Sequence, residues 1–200
     1  MTAPVRDRLT PALLALALAA APLPLRAQAP PIAFKCPLAG TVTEVTMGTA
    51  VHALTNLGAD PSDPALCRWQ RGASPGASLF GIFGPDTSEL HGADIRRGMD
   101  ALFAAATEVT FRFQTTSRNG QTAATEDTWQ RTGLETLTIG DRKVETHVFR
   151  RTSVSTERGF RGVWRRWHDP VSNERVKREL VAANQRTASD DYVASRLPLP

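Results

Sequence analysis

Short runs of alternating apolar and polar residues, separated by turn residues, dominate the chain after residue 40. The alternation is clearest at Val109, Phe111 and Phe113, whose immediate neighbours are polar, as in a strand with one buried face. The same signals predict strands at residues 41–47, 51–57, 78–83, 108–113, 125–131, 134–139, 143–154, 160–167 and 173–181. Asn119–Gly120 is a hairpin-turn signal between two of them. Strands joined by such short turns predict an antiparallel meander.

One segment has helical periodicity instead. Ile95, Met99, Leu102 and Phe103 recur at the spacing of one helix face, and Asp94 is the predicted N-cap. The combined pattern predicts a mainly β protein with one short helix at about residues 94–106. Its sheet is either a curved antiparallel meander or part of a β-sandwich.

An apolar run of ten residues, 12–21, follows a weakly positive start near the N-terminus. Because a bilayer span needs about 20 apolar residues, this length is typical of a signal-peptide core. Small residues offer cleavage after Ala27 or Ala29, and Pro30 disfavours the second point. We therefore expect a Sec-type signal peptide at residues 1–27 and a periplasmic or secreted protein.

The remaining chain is expected to form one domain in two parts. Residues 28–91 form a β-rich N-terminal segment, and residues 92–182 form the helix and the antiparallel meander. Residues 183–200 are polar and end in prolines, which predicts a flexible tail.

The sequence has two cysteines, Cys36 and Cys67. In an exported chain, where the compartment is oxidising, such a pair predicts a disulfide. A metal site would need further Cys or His ligands at suitable spacing, and only His52 lies nearby.

Positive charge is concentrated in residues 142–178, which hold eleven basic and four acidic residues. Basic side chains on the wet face of a meander would attract phosphate or carboxylate groups. The candidate anion-binding residues are Arg150, Arg165, Arg166, Arg175 and Lys177. The expected partners are anionic envelope components, such as lipid headgroups or glycan, or another envelope protein. Export argues against nucleic acid, and no later stretch is long and apolar enough to span a membrane. The alternative interpretation is a solvated arginine face that binds nothing.

Catalytic motifs are weak. Residues 72–76 match the G-x-S-x-G pattern, but the βα context of a nucleophile elbow is missing. Glu145 and His147 share a strand face without a third metal ligand, and His168–Asp169 is typical of a turn. The chain contains no P-loop, dinucleotide fingerprint, zincin or CxxC motif, so no cofactor and no metal are expected.

The stretch from residue 96 to 179 resembles a class of exported β-sheet proteins of unknown function from Gram-negative bacteria. The resemblance rests on Ala101-Leu102-Phe103, on the run from Leu134 to Gly140, and on the motifs Trp167-His168-Asp169-Pro170 and Val176-Lys177-Arg178-Glu179. It implies no catalytic residues. The leading hypothesis is a non-catalytic envelope protein that binds through a basic face. The alternatives are a periplasmic carrier of an apolar ligand and a hydrolase that uses His147 or His168.

Overall fold

The computed structural model describes residues 30–83, 85–116, 120, 122–185 and 191–198, which form one antiparallel sheet and one helix. The predicted mainly β class with a single helix is thereby confirmed for these residues. The expected signal peptide and its cleavage site lie outside them, as do residues 117–119 of the predicted hairpin turn.

The elements, in chain order, are β1 Val42–Met47, β2 Ala50–Asp60, β3 Asp63–Arg71, β4 Ser74–Leu79, α1 Pro85–Ala104, β5 Glu108–Thr116, β6 Thr122–Ile139, β7 Arg142–Ser155, β8 Phe160–His168, β9 Arg175–Ala183 and β10 Tyr192–Arg196.

The sheet is assembled from two meanders, and its strand order is β4-β3-β2-β1-β10-β9-β8-β7-β6-β5. Strands β1 to β4 are joined by hairpins, as are β5 to β9. Strand β10 pairs with both β1 and β9, so it connects the two meanders into one sheet. The helix follows one edge strand, β4, precedes the other, β5, and contacts both. The sheet is therefore curved, with α1 on what we call its inner face.

Helix α1 begins at Pro85, nine residues before the predicted start. Proline is favoured in the first turn of a helix, where its missing N–H has no intrahelical partner. The prediction of Asp94 as the N-cap is wrong, because Asp94 lies inside the helix and forms an ion pair with Arg97. Within the described residues, no helix has the length and apolar character needed to cross a bilayer.

An inner core fills the space between α1 and the sheet. Ile95, Met99 and Leu102 of α1 are fully buried there, as their helical spacing predicts. They pack in the same cluster as aromatic side chains from β5, β6 and β7, including Trp129 and Phe149. Fully burying one such side chain contributes about 1.5–3 kcal/mol, so this cluster is a main source of stability.

A second, smaller cluster covers part of the opposite, outer face. Trp167 of β8 is its fully buried centre, with Val148 of β7 and Val176 of β9 around it. The tip of the β6–β7 hairpin lies against the end of β10, where Arg142 Nη1 donates a hydrogen bond to the Pro198 carbonyl at 3.0 Å. Both sheet faces are therefore buried in the second meander.

Strands β3 and β6 differ from the sequence prediction. Residues 125–131 and 134–139 belong to one strand, β6, which continues through a β-bulge between Arg131 and Gly133. Strand β3 has no counterpart among the predicted strands, because Asp63-Pro64 resembles a turn. The turn lies earlier instead, where the Asp60 carboxylate accepts hydrogen bonds from Ser62.

The C-terminal region also differs from the expected flexible tail. Strand β10 lies in the middle of the sheet, with Ala194 buried between its neighbours and Leu197 buried just beyond the strand. Its five residues are too short to give a recognisable alternating pattern, and its partner β1 is far away in sequence. The pairing is thus a tertiary effect that local sequence does not encode.

The predicted disulfide between Cys36 and Cys67 is present, with the two Cα atoms 5.2 Å apart. It ties the segment before β1 to strand β3. Because Cys67 is buried on the inner face, the bond also holds Phe34 near the inner core, where its ring lies 5.1 Å from that of Phe80.

Candidate ligand-binding pocket

The five candidate anion-binding residues are divided between the two faces of the sheet. Arg150 and Arg165 are cross-strand neighbours on the outer face, and Lys177 joins them over the Trp167 ring. Arg166 lies on the inner face, over the Trp129 ring, and Arg175 lines an inner cavity. Because side chains alternate along β8, Arg165 and Arg166 lie on opposite faces of the sheet. A bulge in the β8–β9 pairing determines on which face each β9 side chain lies.

On the outer face, two of the three cations have carboxylate partners. Arg165 donates to Glu135 at 2.7 Å, and Lys177 lies 3.1 Å from Glu179. Both cations also lie over the Trp167 ring, at 4.6 and 4.3 Å from its centroid. These contacts reduce the net charge of the outer face. Anion binding by Arg150, Arg165 and Lys177 stays a prediction.

The inner face contains a cavity of about 220 Å³, here called the inner pocket, between strands β1–β3 and strands β9–β10. One part of its wall is apolar or aromatic: Phe34, Val45, Met47, Leu54, Trp69, Phe80 and Tyr192. Another part is cationic: Arg68, Arg71, Arg175 and Arg178. The pocket therefore combines the two surface types that an anion with an apolar portion requires.

Glu174 has the one carboxyl group among the described residues that line the inner pocket. Its Oε1 accepts hydrogen bonds from Asn56 Nδ2, at 2.6 Å, and from the Thr43 hydroxyl. Burial raises the pKa of Glu174, and these two hydrogen bonds oppose the rise.

Several buried polar atoms around the pocket lack a hydrogen-bond partner in the described part of the protein. Ser78 Oγ and Asn173 Oδ1 belong to residues that line the pocket, and the Ser78 side chain is buried. His168 Nε2 is also without a partner, and its ring lies 6.2 Å from that of Phe34. Because buried polar groups in native proteins are nearly always paired, these atoms mark places where a bound molecule can donate or accept.

His147 and His168, proposed separately as catalytic residues, are cross-strand neighbours on β7 and β8. Burial lowers the pKa of His168 to about 4, with repulsion from His147 adding to the effect and Asp169 opposing it. Burial likewise lowers the pKa of His147, and Arg131 contributes. Both imidazoles are therefore held mainly neutral at pH 7.

The serine four residues after His168, Ser172, is hydrogen-bonded to Asp169 and not to an imidazole. The Ser172 hydroxyl donates to Asp169 at 2.6 Å, and the backbone N–H of Val171 also donates to that carboxylate. Asp169 thus closes the turn between β8 and β9, as its sequence context predicts, instead of orienting an imidazole. Arg131 is the hydrogen-bond partner of His147, at 3.5 Å. A serine–histidine–aspartate site is not formed by these residues.

The G-x-S-x-G segment, residues 72–76, lies in the hairpin between β3 and β4 and not between a strand and a helix. Gly76 is required by packing, since a Cβ there would lie 2.3 Å from the Trp69 ring. Gly76, the second glycine of the motif, therefore leaves room for the Trp69 ring, which lines the inner pocket. Glu145 is exposed while His147 is buried, and no group of three metal-ligating side chains occurs among the described residues.

Strand β3 supplies pocket residues that the sequence prediction missed. Trp69 and Arg71 alternate on β3 and face the pocket, with Arg68 at its rim. The alternation of Cys67, Trp69 and Arg71 is a strand signal, but the preceding Asp-Pro pair obscures it. Arg178 also lies in the basic region 142–178, but sequence alone does not assign it to the pocket, because the β8–β9 bulge determines which face of the sheet its side chain occupies.

Comparisons with known proteins support the fold. No family model and no curated protein matches the chain. Among solved structures, the chain is similar to the crystal structure of the hypothetical lipoprotein YmcC from Escherichia coli K12. The two share 15% sequence identity with a TM-score of 0.52, over 81% of this chain and 89% of that one. At this identity the likeness shows a shared fold and nothing more.

Proposed function

We propose that the chain is a non-catalytic binding protein of the bacterial cell envelope and that its ligand is an anion held in the inner pocket. The observation that carries the proposal is the charge of the pocket wall. Among the described residues that line it, four are arginines and only Glu174 has a carboxyl group. Guanidinium groups bind phosphate and carboxylate through paired, charge-assisted hydrogen bonds.

The envelope location rests on two further features. The predicted signal peptide directs the chain out of the cytoplasm. The Cys36–Cys67 disulfide is typical of proteins that fold in an oxidising compartment such as the periplasm.

The carrier hypothesis fits the same pocket, and its specific support is the aromatic wall. Trp69, Phe80 and Tyr192 all line the cavity that the arginines line. An apolar ligand alone would make no use of the cationic part of the wall, so we combine the two hypotheses. The ligand carries an acidic group and an apolar portion. The hydrolase hypothesis has no comparable support, because Ser172, His168 and Asp169 do not form a catalytic arrangement.

We expect the protein to bind 1-anilinonaphthalene-8-sulfonate, an aromatic anion, saturably and with one site per chain. Replacing Arg175 with glutamine should weaken this binding by about tenfold or more, since a hydrogen bond to a charged group contributes about 1.5–3 kcal/mol. Arg175 is half-buried and lines the pocket. Fluorescence titration at low and high salt measures the affinity.

The matched control is Arg150→Gln, which removes an exposed arginine from the outer face. This variant should bind the probe as the wild type does. Equal losses in both variants would indicate a diffuse surface effect and contradict the pocket. Near-ultraviolet circular dichroism of each variant confirms that the probe reports on a folded protein.

A further inference from the structure

Arg166 is a deeply buried charged group near the inner pocket. Its side chain lies on the inner face of β8, and the residue is only 6% exposed. Its guanidinium carbon lies 5.4 Å from the centre of the Trp129 ring. Yet Nε and Nη1 have no hydrogen-bond partner in the described residues. A contact with an aromatic face does not provide a hydrogen-bond acceptor, so these two nitrogens of Arg166 lack the oxygen acceptors that guanidinium N–H groups normally have.

The charges around Arg166 make its burial still less favourable. Arg151, Arg175 and Arg178 all act on it, and Arg151 already has a carboxylate partner in Asp127, at 2.6 Å. Burial lowers the pKa of Arg166, and repulsion from Arg151 adds to this effect. A buried charge among like charges is strongly unfavourable unless an opposite charge accompanies it.

The position of Arg166 connects it to the inner pocket. In the β8–β9 pairing Arg166 lies directly opposite Arg178, and its neighbour Tyr192 lines the pocket together with Arg175 and Arg178. Arg178 in turn lies over the Tyr192 ring, with 5.4 Å between the guanidinium carbon and the ring centre. Arg166 does not itself line the cavity, but it lies within electrostatic range of Arg175 and Arg178, which do line it.

We propose that these three arginines bind a phosphate group, with Arg166 at its inner end, and that the ligand is a phosphate-bearing amphiphile. This inference rests on the proposed function and specifies its ligand. A phosphate monoester carries a charge between −1 and −2 near neutral pH and has three acceptor oxygens, which matches several guanidinium groups better than a singly charged carboxylate. The apolar wall beside the arginines accommodates the portion next to the phosphate.

The size of the cavity limits what it encloses. A dry cavity of about 150 Å³ holds one benzene molecule, so about 220 Å³ accepts a short apolar group beside the headgroup. A longer chain would have to extend beyond the cavity. Hexyl phosphate is therefore a suitable probe, and inorganic phosphate and hexanoate test its two parts separately.

The experiment measures the affinities of these three compounds by isothermal titration calorimetry for the wild type and for Arg166→Met. We expect the wild type to bind hexyl phosphate at least about tenfold more tightly than either inorganic phosphate or hexanoate. Arg166→Met should lose about tenfold or more of the hexyl phosphate affinity, because a charged hydrogen-bond donor is removed. Arg161→Met, an exposed change on the same strand, should retain wild-type affinity.

Stability without ligand provides a readout that a structural arginine would not give. Because burying a charge without an ion-pair partner is unfavourable, and Arg166 has none among the described residues, Arg166→Met should raise the melting temperature of the free protein or leave it unchanged. A lower melting temperature would show that Arg166 supports the fold and would overturn its assignment as a ligand-binding charge.

The remaining outcomes separate the two proposals. If Arg166→Met binds hexyl phosphate normally while Arg175→Gln does not, Arg166 is excluded and the proposed function survives. If hexanoate binds as tightly as hexyl phosphate, the phosphate class is wrong. If inorganic phosphate binds as tightly, the amphiphile is wrong and free phosphate is the ligand. If the wild type binds neither hexyl phosphate nor the anilinonaphthalene probe, both proposals fail.

Discussion

Reduction of the Cys36–Cys67 disulfide is expected to lower the free energy of unfolding by about 4 kcal/mol. The bond closes a loop with a sequence separation of 31 residues, and the loss of chain entropy in the unfolded state gives this magnitude. Urea unfolding with and without reductant measures it, and the midpoint should fall on reduction.

The matched control for this prediction is the Cys36→Ala, Cys67→Ala double variant. Its midpoint should be low in both conditions, because it has no disulfide for the reductant to break. An unchanged midpoint for the reduced wild type would mean that packing around Cys67 alone holds this segment. Reduction should also weaken binding of the anilinonaphthalene probe, since Phe34 and Cys67 both line the inner pocket.

Acidification is expected to destabilise the protein through His168, by roughly 3 kcal/mol between pH 6.5 and pH 4. The folded-state pKa of about 4 lies below the ordinary value of 6.5, so the unfolded chain takes up the proton first. The stabilising effect is therefore complete above pH 6.5 and is lost as the pH falls towards 4. Burial is the main cause, with His147 and Arg175 repelling the proton and Asp169 attracting it.

The test compares the wild type with His168→Phe at pH 7 and pH 4.5 by urea unfolding. Phenylalanine suits the site because the rings of Phe34 and Phe103 already lie about the imidazole. The raised pKa of Glu174 acts in the opposite direction, stabilising the fold as the pH falls, but this effect is common to both proteins and cancels. Equal pH dependence in the two proteins would show that His168 is accessible to protons in the folded state.

The second meander could be predicted because its information is local. From β5 to β9, apolar alternation and turn residues occur in short succession, and the Asp169 turn forms as its sequence suggests. The start of α1 could not be placed as well, since Gly92 interrupts the helical pattern before Asp94. The position of β10 depends on pairing with β1 across the whole chain, which no local pattern reveals.

The site was harder to predict than the fold, and the arginines show why. Arg165 and Arg166 are adjacent in sequence but face opposite sides of the sheet, so a dense run of charge became two separate sets. A bulge shifts the register between Trp167 and His168, and this decides that Lys177 lies outside while Arg178 lies inside. Sequence composition reports how many charges there are, and backbone register determines which of them meet.

The central place of β10 has a consequence for the order in which the molecule is assembled. Both meanders consist of hairpins between strands that are adjacent in sequence, so each can form before the C-terminal residues of the chain are available. The strand that joins them emerges after all the others, so until then β1 and β9 each expose an unpaired edge. Such edges readily pair with other chains. Until β10 is added, the two halves of the sheet are therefore open to aggregation.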